Sequence, residues 1–164
     1  MRIRRPLPQD EAAVMAMIEE FLAHDSKTDG LWNFQAGQMT YMEWLDANRV
    51  QEMGLAKELT PAIQCVAFDD DQQALGFLSL RLRLTDSLLQ KGGHIGYSVR
   101  PTKRGQGLAK EMLKQALALA KTKNIHKALV TCDQTNLASR SVILANGGIL
   151  EDVRGGCERY WIET

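Results

Sequence analysis

Residues His94 to Lys123 (HIGYSVRPTKRGQGLAKEMLKQALALAKTK) constrain the fold of this chain more than any other stretch. His94 to Val99 reads as a strand. Pro101 stops it, because proline cannot donate to a ladder. A basic, glycine-bearing loop follows at Lys103, Arg104, Gly105, Gln106 and Gly107. Apolar residues then fall at Leu108, Met112, Leu113, Ala116, Leu117 and Ala120, the spacing of a helix with one buried stripe. A strand that feeds a glycine loop at a helix N-terminus is an anion site: unpaired N–H groups and the positive end of the helix dipole converge there. Gly105 and Gly107 leave room for a phosphate to reach the backbone, and Arg104 adds a planar cation.

Three phosphate-binding patterns can be compared. A Walker A loop ends in Gly-Lys-Ser/Thr, which this loop lacks. The dinucleotide fingerprint needs a third glycine or alanine where Lys110 stands, and no acidic ribose partner follows at the right distance. Arg104-x-x-Gly107-x-Ala109 instead resembles the pyrophosphate signature of the GNAT superfamily, the acetyl-CoA-dependent N-acetyltransferases. The bland alternative is a basic turn capping a surface helix.

Length and composition set the surrounding limits. The 164 residues, 45% apolar, suffice for one domain with a substantial core, expected to span residues 1–164. Acidic and basic residues number 20 each. That balance gives no reason to expect a nucleic acid or an anionic membrane as partner. Cys65, Cys132 and Cys157 are odd in number and widely spaced, which suggests reduced thiols in an intracellular protein. No ligand set has metal spacing, and no stretch approaches the ~18 apolar residues of a membrane span. The expectation is a cytoplasmic protein without a metal.

The rest of the chain reads as follows. Met1 to Arg5 is an edge strand. Asp10 to His24 is a helix, and Asp25 to Gly37 a loop holding Trp32 and Phe34. Thr40 and Glu43 form a capping box for a helix from Tyr41 towards Arg49. Val50 to Thr60 is ambiguous. Ala62 to Phe68 is a strand, and Leu75 to Leu84 alternates like the half-exposed strand of a hairpin. Lys127 to Cys132 is a core strand, and Asn136 to Asn146 a short helix ended by Gly147-Gly148. Ile149 to Val153 and Glu158 to Ile162 form a last hairpin about Gly155-Gly156.

Beyond the loop, GGHIGYSVRP, TCDQTN with Ser139, the NGG at Asn146 to Gly148, and the final RYWI are similar to a subgroup of bacterial GNAT acetyltransferases. The resemblance implies an α+β (mixed α/β) fold: a mostly antiparallel central sheet, a βαβ crossover and flanking helices. It also implies that the strands on either side of the long helix diverge to admit pantetheine. Carried over, Arg104, Gly105, Gln106, Gly107, Leu108 and Ala109 bind the CoA pyrophosphate. Val99 ends the strand whose backbone pairs with pantetheine, a strand addition. Asn136 touches the pantetheine arm, with Ser139 one turn on; a helix N-cap is the competing role for Asn136. Where many members carry a proton-donating tyrosine, this chain has Ile143.

The reaction implied is direct acetyl transfer from acetyl-CoA to a primary amine in a ternary complex. The acceptor is a small molecule or a protein amine, and no metal takes part. His94 is the candidate base, because imidazole titrates near neutral pH; its alternative is a hydrogen-bonded strand residue. Tyr160 is a candidate proton donor by type, and Tyr97 could donate or pack. Cys132 invites an acyl-enzyme reading, against that of a small buried thiol. A non-catalytic acyl-CoA-binding module is the alternative function. Exposed sheet edges could pair two copies into a homodimer.

Overall fold

The computed structural model describes residues 1–32 and 34–164. Position 33, inside the expected loop, lies outside the described residues. The elements in order are β1 (Arg2–Arg4), α1 (Glu11–Ala23), α2 (Tyr41–Glu52), β2 (Ala62–Phe68), β3 (Ala74–Arg81), α3 (Asp86–Gln90), β4 (Ile95–Val99), α4 (Leu108–Thr122), β5 (Lys127–Asp133), α5 (Leu137–Ala145), β6 (Ile149–Arg154) and β7 (Cys157–Glu163).

The strands form two antiparallel sheets, β1-β2-β3-β4 and β5-β7-β6. α4 carries the chain from the end of the first sheet to the start of the second. Its stripe of Met112, Leu113, Ala116, Leu117 and Ala120 is buried with Ile63, Leu78 and Leu80 of the first sheet and Val130, Tyr160 and Ile162 of the second. One apolar helix face therefore spans both sheets. A second core covers the opposite face of the first sheet, where Val14, Met17, Phe21 and Trp44 from α1 and α2 meet Val66 and Phe77.

The expected half-exposed strand Leu75 to Leu84 needs correction. β3 ends at Arg81, and every residue of it is buried. Both faces of the strand are covered: Leu78 and Leu80 lie in the α4 core, Phe77 in the α1–α2 core. After a last bond from the Leu82 N–H to the Pro61 carbonyl at 2.8 Å, the chain leaves the ladder and leads into α3, an element not expected from the sequence; Thr85 caps it, accepting from the Leu88 N–H at 3.2 Å.

The loop between α1 and α2 is held onto the sheet by one buried amide. Gln64 Nε2 donates to the Gly30 carbonyl at 2.7 Å, and its Oε1 accepts from the Trp32 N–H at 3.0 Å. Gly30 (φ +85°) crosses so closely that a Cβ there would stand 2.6 Å from the Gly96 carbonyl oxygen. Only glycine satisfies both the conformation and the approach.

Candidate active site

The site begins where the two sheets separate. The two sheets are joined just before β4 begins, at the third residue of β5. His94 N–H donates to the Leu129 carbonyl at 2.7 Å, and the Leu129 N–H returns a bond to His94 Nδ1 at 2.8 Å. Gly92 N–H adds a bond to Thr131 Oγ1 at 2.9 Å. Beyond this joint no ladder links β4 to β5 among the described residues, so the strands diverge, as the resemblance implied.

The divergence leaves, among the described residues, a β4 edge with no partner strand. In an antiparallel ladder, alternate residues turn both backbone groups toward the partner. Arg81 N–H donates to the His94 carbonyl and Arg100 N–H to the Leu75 carbonyl. Even-numbered residues of β4 therefore face β3. Tyr97 and Val99, of the other parity, present N–H and C=O to the gap.

The edge leads directly into the glycine loop. A short 3-10 turn, Pro101–Lys103, bends the chain, and Gly105 and Gly107 both take left-handed φ, +77° and +76°. A Cβ at either glycine would meet nothing within 4 Å, so the space in front of both is open. The N–H groups of Gly105, Gln106, Gly107, Leu108, Ala109 and Lys110 find no acceptor among the described residues. They converge at the N-terminus of a 15-residue helix. Such an arrangement has the chemistry of a cradle able to receive a multiply charged anion.

α1 holds the cradle in place. Glu20 Oε1 accepts from Thr102 N–H at 2.8 Å and Thr102 Oγ1 at 2.7 Å, and Oε2 accepts from Arg100 Nε at 2.5 Å. Burial would raise the Glu20 pKa, but the Thr102 hydrogen bonds and the Arg100 charge outweigh it and bring it down to about 2. No sequence signal points to Glu20, since its partners lie 80 and 82 residues away. Gln64 did leave one: a lone amide in an apolar strand needs partners.

Across the gap, the Tyr97 hydroxyl lies 2.9 Å from Ser139 Oγ, tying β4 to α5. Burial pushes the Tyr97 pKa up to about 12, so the hydroxyl keeps its proton at neutral pH. Asn136 Oδ1 accepts from Ser139 N–H at 3.0 Å. It is thus the N-cap of α5, and its amide Nδ2 has no acceptor among the described residues.

The two expected catalytic side chains are engaged elsewhere. His94 precedes β4 and does not belong to the strand. With Nδ1 accepting from Leu129, the ring proton sits on Nε2 and neither nitrogen offers a lone pair. Burial, then the Arg81 charge, lowers its pKa to about 4. In this arrangement His94 is a joint between the sheets, the hydrogen-bonded alternative to the expected base. Tyr160 is buried on β7 and donates to Glu158 Oε2 at 2.7 Å; burial, then this hydrogen bond, pushes its pKa to about 12. Glu158 also accepts from Arg140 and sits 3.7 Å from Cys132 Sγ. Burial, then the Glu158 charge, raises that thiol to about 11, which removes the thiolate an acyl-enzyme would need.

Two splayed antiparallel sheets, an unpaired inner strand edge and an anion cradle on a spanning helix define an acyl-CoA acyltransferase architecture. A profile described as "Acetyltransferase (GNAT) domain" matches residues 1–149, and the chain belongs to that family. No curated protein matches it by sequence. Among solved structures it is similar to yncA from Salmonella typhimurium, solved with its cofactor acetyl-CoA: 17% identity, 99% of this chain and 92% of that one covered, TM-score 0.63. It is also similar to the ribosomal-protein-S5-alanine acetyltransferase of Vibrio fischeri, at 16% identity, 98% and 91% coverage and TM-score 0.68. A spermidine N-acetyltransferase SpeG variant from Vibrio cholerae gives 13%, 99% and 95%, and 0.61. At these identities the likeness is one of fold. No helix among the described residues is long and apolar enough to cross a membrane, and no cluster of His, Cys, Asp and Glu among them could hold a metal ion.

Proposed function

We propose that residues 1–164 act as one acetyltransferase domain that moves the acetyl group of acetyl-CoA to a primary amine by direct attack in a ternary complex. The observation that supports this most is the continuity of the inner β4 edge with the anion cradle. Tyr97 and Val99 offer alternating donors and acceptors to the two amides of a pantetheine arm. The arm would then run toward Asn136 and Ser139 while the phosphates sit on the N–H groups of Gly105 to Ala109, with Arg104 beside them.

The Tyr97 N–H, aimed into the gap, is placed to receive the thioester carbonyl as charge develops on it. The amine attacks as its neutral form and its surplus proton passes to water. The CoA sulfur leaves as a thiolate, a weak base that needs less help than an amine would. The protonated Tyr97 hydroxyl is the donor at hand for it. His94 contributes by joining the two sheets, and the Tyr160 proton stays in its hydrogen bond to Glu158. The acceptor is a small amine or a protein amine, and spermidine and ribosomal-protein amines, named for two similar structures, head a first panel.

The test is acetyl-CoA with that panel, with the acetylated product read by mass spectrometry and free CoA by thiol titration. Product formation supports the transferase. Acetyl-CoA binding without thioester consumption across amines of every class would instead favour a non-catalytic acyl-CoA-binding module.

A further inference from the structure

The Val99 carbonyl faces the gap, but it is already occupied. Arg104 Nε donates to it at 3.0 Å, and Arg104 Nη2 donates to Ser26 Oγ at 2.6 Å. The guanidinium also lies 6.0 Å from the centroid of the Phe21 ring. The cation beside the anion cradle is therefore folded back onto the strand edge. It takes the acceptor that an incoming amide would need. A second donor at Val99 must share the oxygen with a charge-assisted hydrogen bond or displace it.

We propose that Arg104 is a specificity-determining residue that closes Val99 against phosphate-free thioesters and opens it for a ligand bearing phosphates. This rests on the acetyl-CoA reading above. A pantetheine amide N–H arriving at Val99 displaces Arg104 Nε, which breaks one charged hydrogen bond. If the ligand carries phosphates, the freed guanidinium turns from Val99 to the cradle, which begins at the next residue, and regains a stronger, bidentate partner. If it carries none, the displaced cation regains only water. Arg104 therefore does more than attract phosphate: it penalises ligands that lack it. Ser26, three residues beyond α1, anchors the closed position.

The opposite signs expected for two ligands provide the test. Dissociation constants are measured by calorimetry for acetyl-CoA and for S-acetyl-pantetheine, which has the arm without phosphate. Arg104→Ala is expected to weaken acetyl-CoA by about tenfold and to tighten S-acetyl-pantetheine by about threefold. Ser26→Ala, which loosens the closed position and spares the cation, is expected to tighten both. Arg104→Ala weakening both ligands by the same factor, or leaving the phosphate-free one unchanged, overturns the inference. Wild-type protein that binds neither ligand overturns the acetyl-CoA reading itself, a distinguishable result.

Discussion

The His94 imidazole accepts the Leu129 N–H at 2.8 Å, and this bond closes the one end at which the two sheets touch. His94 is 8% exposed and Leu129 fully buried. Replacing His94 by alanine leaves a buried N–H without a partner and is expected to cost about 1–3 kcal/mol in urea unfolding.

The same residue sets a pH dependence. Its folded pKa of about 4 lies below the ordinary 6.5, so the unfolded chain binds more protons between those values. Stability is expected to fall as pH drops from about 6.5 towards about 4, by as much as about 2–3 kcal/mol from this group. His94→Ala should flatten that part of the curve. A profile with the same slope in the variant would assign the loss to other groups.

Gly107→Val should abolish acetyl-CoA binding in calorimetry while far-UV circular dichroism stays native. The side chain would project into the open space before the cradle, and a β-branched residue at φ +76° adds strain of about 1–3 kcal/mol. Native affinity in a folded variant would place the phosphates elsewhere.

Leu113 is fully buried on the α4 stripe against both sheets. Leu113→Ala should destabilise by about 2–5 kcal/mol in denaturant unfolding.

Glu20→Gln keeps the shape of the clamp and removes its charge. Affinity for acetyl-CoA should fall roughly three- to thirtyfold, because the Thr102 end of the loop loses charge-assisted bonds. With a folded pKa of about 2 against an ordinary 4.5, Glu20 stabilises the wild type at neutral pH. That contribution is lost as pH falls from about 4.5 to about 2. The variant's unfolding curve should not show this loss.

Local chemistry in the sequence determined the β4–loop–α4 unit, the Thr40–Glu43 capping box, the α4 stripe and the glycine ends of α5 and β6. Each depends on residues within a few positions, through helix period, caps and positive φ. The cradle at Arg104 to Ala109 was legible for that reason, as was Asn136 as an N-cap. Tertiary structure decided the rest. An imidazole looks the same in sequence whether its lone pair is free or spent, and for His94 a backbone N–H 35 residues away spends it. The Tyr160 hydroxyl is likewise committed by Glu158, which alternation alone leaves on the same strand face but not within reach. β3 reads as half-exposed because period two reports one face only; burial of the other is imposed by α1, α2 and the loop pinned by Gln64. Glu20 meets Thr102 and Arg104 meets Ser26 across about half the chain, contacts that come into being only when the sheet brings α1 beside the loop.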